Sequence, residues 1–173
     1  MTNLNEHFVT FAFYNRWANR RLYAACAELG DADYRARRAS FFGSIHATLN
    51  HILVADRVWL ERLGQGPSGV GALDQMLYDD RAALDAARQA EDTRIIAFVE
   101  SLDQSALART VHYRTMSEQI PGRELRSPVH WVLGHMFNHQ THHRGQAHDQ
   151  LSQTKMPPPP LDLMFYLREV GQA

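Results

Sequence analysis

The chain has 173 residues, of which 45% are hydrophobic and 21% charged, the profile of one ordinary globular domain. Eighteen Lys plus Arg face nineteen Asp plus Glu, a net charge of −1, and no basic cluster stands out, which argues against a nucleic-acid footprint. Cys26 is the single cysteine, so a disulfide framework within one chain is excluded and a reducing cytoplasm is the expected setting.

Residues 4 to 29 are expected to form the first helix, because Leu4, Phe8, Phe11, Ala18, Leu22, Cys26 and Leu29 follow helical spacing along one face. Gly30 is its expected C-terminal stop. Glu6, Arg16, Arg20 and Arg21 interrupt the apolar positions, so the segment does not read as a signal peptide. A second helix is expected over roughly 41 to 63, with Ile45, Leu49, Ile52, Trp59 and Leu63 on its stripe, Ser40 or Ser44 as cap and Gly64 as end.

The stretch "GQGPSGVG" (64 to 71) formally contains the dinucleotide-binding pattern G-x-G-x-x-G at Gly64, Gly66 and Gly69. It follows a helix rather than a strand and holds Pro67, so it reads as a flexible connection. A third helix is expected over 79 to 102, rich in Ala and other strong helix formers. Residues 109 to 126 alternate Val111, Tyr113 and Thr115 before Pro121-Gly122, the pattern of a small hairpin.

Ser127 followed by Pro128 predicts a capped start for a fourth helix running to about 151. Its uncharged run from Ser127 to His143 contains five histidines and an asparagine, so no membrane span is expected. "PPPP" at 157 to 160 breaks the chain, and "LDLMFYLREV" predicts a short closing helix. The expected fold is all-α: one four-helix-bundle domain over residues 1 to 173, with a small β-hairpin between helices three and four and a short C-terminal helix.

The fourth helix contains "HMFNHQTHHRG" (135 to 145). On a helical wheel Val129, Val132, Leu133, Met136 and Phe137 form its apolar stripe. His139 and His143 flank that stripe, His135 lies further round and His142 points away. Residues four apart present β-carbons roughly 6 Å apart, so H-x-x-x-H is a two-ligand metal clamp. Such pairs also arise by chance in a chain with ten histidines. The clamp needs a third ligand, and His46 and His51 flank the stripe of the second helix on opposite sides. The wheel does not choose between them. His7 and His112 are weaker candidates, and His130, His142 and His148 read as solvated or packed.

Asn15, Asp56 and Gln140 sit inward on their helices, where polar groups must find partners. They read as a structural polar layer. The alternative is that Asp56 orients a ligand imidazole.

"YNRWANRRL" (14 to 22), "NHILVADRVWLERL" (50 to 63) and "HMFNHQTHHRGQ" (135 to 146) together resemble the DinB family, the DinB/YfiT-like metalloenzymes. The likeness spans nearly the whole chain. It implies a four-helix bundle holding a divalent metal ion (zinc, nickel or iron) on three histidines, one from the second helix and two from the last. Matched position by position, these are His51, His139 and His143. The resemblance also implies frequent homodimers, and Trp131, on the outer face of the last helix, is where a partner would cover the chain.

Relatives in that family include transferases and isomerases that use low-molecular-weight thiols such as bacillithiol or mycothiol. The leading expectation is therefore metal-dependent thiol chemistry on a small-molecule substrate, since three imidazoles leave a coordination position open. The thiol must be external, because Cys26 lies on the packed stripe of the first helix. Asn138, His135 and Arg144 are candidates to line the approach, with Arg144 better read as a structural ion-pair partner. The alternatives are a metal-dependent hydrolase, with Asp56 or His135 as base, and a non-catalytic metal-binding stress-response protein.

Overall fold

A computed structural model describes residues 4–116 and 119–172. In chain order the elements are α1 (Leu4–Ala27), the short α2 (Asp31–Arg35), α3 (Ile45–Arg62), α4 (Arg81–Glu100), the short α5 (Gln104–Ala108), strands β1 (Thr110–Arg114) and β2 (Glu124–Pro128), α6 (Val129–Ser152) and α7 (Leu163–Glu169). The four long helices form the bundle. Helix α1 packs on α4 and α6, and α3 packs on the same two, so α1 and α3 face each other diagonally.

Helices α3 and α4 start on side-chain caps. The Ser44 hydroxyl accepts from the Ala47 amide at 3.1 Å, and the Asp80 carboxylate accepts from Ala83 at 2.7 Å. The second helix accordingly begins at Ile45 rather than near 41, because Gly43 adopts φ +78, a turn conformation that ends any helical path before it. Gly30 is not a left-handed stop: at φ −61, ψ 150 it opens α2, which the sequence did not announce.

The hairpin is antiparallel, with Val111 opposite Ser127 and Tyr113 opposite Leu125. This pairing overrides the expected Ser127 cap. Ser127 belongs to β2, its hydroxyl lies 3.3 Å from the Tyr113 hydroxyl, and α6 opens at Val129, whose amide donates to the Arg109 carbonyl at 2.9 Å.

Two apolar clusters occupy opposite ends of the bundle. One gathers Phe8, Leu60, Ile95, Val99, Leu133 and Phe137, and the other Leu22, Leu49, Leu53, Leu84 and Leu151 with Cys26. Each such side chain contributes about 1.5–3 kcal/mol on burial. Between the clusters lies a buried polar layer built by Asn15, Asn19, Asp56, Arg88, Asp92, Gln140 and Arg144. Among the described residues, no helix is long and apolar enough to cross a membrane.

Candidate metal centre

Helix α3 presents His51 and helix α6 presents His139 and His143, on adjacent turns of one face. One ring nitrogen from each lies within 4.8 Å of the others. The Nε2 atoms of His51 and His139 are 3.3 Å apart. Two nitrogens each about 2.05 Å from one tetrahedral ion lie about 3.3 Å apart, so the spacing suits a shared cation. The ring centroids of His139 and His143 are 4.2 Å apart, and those of His51 and His143 are 4.6 Å apart.

The tautomers are set from behind. His51 Nδ1 lies 2.8 Å from the Leu73 carbonyl, which only accepts, so Nδ1 carries the proton and Nε2 presents its lone pair. His143 Nδ1 donates in the same way to Gln146 Oε1 at 2.8 Å. The amide nitrogen of Gln146 meanwhile reaches His142 Nε2 at 3.2 Å, so one side chain spans both histidines. Orientation of this kind is what ligand imidazoles need.

Burial keeps the three rings neutral. It pushes His51 below the ordinary imidazole range, against the Leu73 hydrogen bond that raises it. Burial, then the neighbouring His143 and His51, lowers His139 to about 3. Burial also lowers His143 to about 4, in spite of its bond to Gln146. Neutral imidazoles are the ligating form. Three neutral nitrogen donors with directed lone pairs fit a borderline divalent cation such as zinc, nickel or iron(II).

An open pocket of about 1090 Å³ reaches the cluster. The Phe42 ring stacks on His51 with centroids 4.0 Å apart and meets His143 edge-on at 5.4 Å. The segment Gly71–Asp74 also lines this pocket. The glycine-rich stretch before it is therefore more than a connection. Gly64, Gly66 and Gly69 all take positive φ, which bends the chain back so that Leu73 meets His51.

Residues 1–172 match the DinB family. The chain belongs to the DinB family. It is 29% identical over 167 residues to Protein DinB of Bacillus subtilis (strain 168), covering 91% of this chain and 94% of that protein. A DinB-like protein from Bacillus cereus ATCC 10987, known from a crystal structure, shares its fold with a TM-score of 0.60 at 19% identity, over 83% of this chain and 90% of that one.

Within this DinB-family chain the remaining candidates take other places. His46 is buried against Tyr34, with ring centroids 5.2 Å apart, and lies outside the cluster. His135 packs edge-on to Trp59 at 5.0 Å, with its centroid 5.6 Å from that of His139. His7 packs on Phe11, His112 sits in β1 opposite Arg126, His130 bonds the Leu107 carbonyl and His148 the Pro159 carbonyl.

Asp56 does not orient a ligand. It accepts from Arg88 at 2.6 Å and from Gln140, and both bonds keep it inside the polar layer. Arg144, named as a possible approach residue, is buried in the same layer and donates to Asn15, Gln140 and Asn19. Asn138 is exposed and lies outside the pocket lining. The orienting residues are instead Leu73 and Gln146. Gln146 was legible, because it follows His143 by three positions and so shares its face. Leu73 acts through its backbone and leaves no sequence signal.

Proposed function

We propose that the chain binds one divalent metal ion through His51, His139 and His143 and acts as a transferase or isomerase that uses a low-molecular-weight thiol. The convergence of three ring nitrogens beside an open pocket, with the far nitrogens of His51 and His143 tied down, is the observation that carries the reading. A divalent ion held there supplies Lewis acidity that lowers the pKa of a coordinated thiol or water.

The chain's own contributions are positional. Leu73 and Gln146 hold the lone pairs of His51 and His143 toward one point. Phe42 covers one face of His51 and keeps water from it. The thiol comes from outside, because Cys26 is buried in the second apolar cluster and burial pushes its thiol up to about 12.

One observation favours a hydrolytic second reading: Asp74 lines the pocket next to the Leu73 that holds His51, where a carboxylate can take a proton from water. Asp56 cannot serve, since it stays locked in the polar layer.

Elemental analysis of tag-free protein tests the metal assignment. Wild type is expected to carry about one divalent ion per chain and His51→Ala less than about a tenth of that, since a lost imidazole removes a third of the donor set. Equal metal content in both would refute the site. Loaded protein is then screened with thiols and electrophiles, and against esters and amides without thiol. Turnover that needs no thiol and disappears in Asp74→Asn selects hydrolysis.

A further inference from the structure

Between α3 and α4, residues 63–80 run without helix or strand. Connections this long are uncommon in compact domains and are either functional or disordered. Here side chains from the bundle reach in and hold the segment. Arg94 donates to the Gln65 carbonyl, and Arg35 donates to the Asp79 carboxylate. The Ser68 hydroxyl donates to the Glu61 carboxylate. All three contacts are exposed, and water competes for them.

Asn50 on α3 differs, being fully buried and gripping the backbone itself. Its Oδ1 accepts from the Tyr78 amide at 3.0 Å, and its Nδ2 donates to the Tyr78 carbonyl at 3.1 Å. Nδ2 also donates to the His46 carbonyl one turn back at 3.1 Å, which fixes the amide to its own helix. A carboxamide supplies both the donor and the acceptor that this pairing needs, whereas an ionised Asp only accepts.

The carbonyl that orients His51 sits in a turn closed on itself. The Gln75 amide donates to the Ala72 carbonyl at 3.2 Å, and Gln75 Oε1 accepts from the Gly71 amide at 2.8 Å. These bonds shape the turn but leave its place against α3 to the contacts around it. Asn50 and His51 are neighbours on α3, and they hold the segment at Tyr78 and Leu73, five residues apart.

We propose that Asn50 is a positioning residue for the histidine cluster. By clamping Tyr78 it keeps the Leu73 carbonyl against His51 Nδ1, and so keeps the His51 Nε2 lone pair turned toward His139. Which imidazole nitrogen carries the proton is set by the partner of the other. The consequence for metal affinity rests on reading the cluster as a metal site.

Nitrogen-15 histidine labelling of the apoprotein gives the tautomers from long-range proton–nitrogen correlations, with His51 and His143 assigned from His51→Asn and His143→Asn. Wild type is expected to carry the proton on Nδ1 in both rings. Asn50→Ala is expected to lose that preference at His51, while His143, held by Gln146, keeps it. Zinc affinity, from competition with a chromophoric chelator, is expected to fall by about 10–100-fold. Tyr78→Phe spares the backbone pair and is expected to stay within about twofold of wild type. Two glycines inserted between Met76 and Leu77 lengthen the tether without touching α3, at small cost to folding. That chain is expected to reproduce the Asn50→Ala effect, and it decides the matter where Asn50→Ala does not fold. The inference is overturned if His51 keeps its Nδ1 proton in the altered chains or their zinc affinity stays within about twofold of wild type. Loss of the preference at His143 as well, or an equal loss in Tyr78→Phe, also overturns it. Each of these results leaves the metal reading standing. A wild type that binds no zinc removes the metal reading, and the tautomers then decide by themselves whether Asn50 positions His51.

Discussion

At the scale of single residues, the arrangement of His51, His139 and His143 depends on the groups behind the imidazoles as much as on the imidazoles. Gln146 accepts from His143 and reaches His142 with the same side chain. Gln146→Ala is expected to weaken zinc binding by about 10–100-fold in a competition titration with a chromophoric chelator, while the fold by circular dichroism stays unchanged. Acid should act on the same rings. In the folded apoprotein burial holds His139 near 3 and His143 near 4, whereas unfolded imidazoles titrate near about 6.5. Between those values the unfolded chain takes up protons that the folded chain refuses, so the stability contributed by these rings is present above about pH 6.5 and is lost as pH falls toward 4. Apo wild type is therefore expected to lose more Tm than His139→Asn between pH 7 and pH 4.5, measured by thermal denaturation at matched ionic strength. Parallel curves would contradict the assigned neutrality. The choice between His46 and His51 also belongs to this scale. The two are five residues apart, about 140° around a helix, so one points to the cluster and the other to Tyr34.

At the scale of elements, the polar layer holds α3, α4, α1 and α6 in register. Asp56 on α3 accepts from Arg88 on α4 and Gln140 on α6, Arg88 also approaches Asp92 at 3.1 Å, and Asp92 accepts from Asn19 on α1 at 3.0 Å. Gln140 and Arg144 each follow a candidate ligand directly in α6, so the layer and the centre share one stretch of helix. Burial pushes the Asp56 carboxyl up to about 7, while Asp92 and Asp56 keep the Arg88 guanidinium charged against the cost of its own burial. Arg88 is the cation shared by two buried carboxylates, so its loss strips both Asp56 and Asp92, whereas loss of Asp56 leaves Arg88 paired with Asp92. By urea denaturation Arg88→Met is expected to cost about 3–5 kcal/mol and Asp56→Ala about 1–3 kcal/mol. An Arg88→Met cost no larger than that of Asp56→Ala would show that Arg88 is not the centre of the layer. The long helices and the hairpin were legible because apolar spacing runs through them for many residues. Helices α2 and α5, five residues each, are too short to show a period. The Ser127 cap was misread because strand pairing with Val111 outweighed a local signal.

At the scale of the whole molecule, Trp131 stands 69% exposed on α6, away from the pocket. We propose a homodimer that covers it. Light scattering coupled to size exclusion is expected to give twice the chain mass for wild type and the single-chain mass for Trp131→Glu, and a wild-type monomer would exclude the assembly. The sequence by itself determined the bundle, the hairpin and the pair His139 and His143, because helical periodicity and i,i+4 spacing are local properties of the chain. It pointed to His51 through likeness to the family rather than through spacing, and the structure brings that ring beside the pair. Only the tertiary structure decided that Asp56 serves the core and not the centre, that Gln146 and the Leu73 carbonyl orient the imidazoles, and that Phe41, Phe42 and Asp74 frame the pocket. Those groups meet across separate helices and loops, and the distance between such segments is set by packing that no single stretch of sequence records.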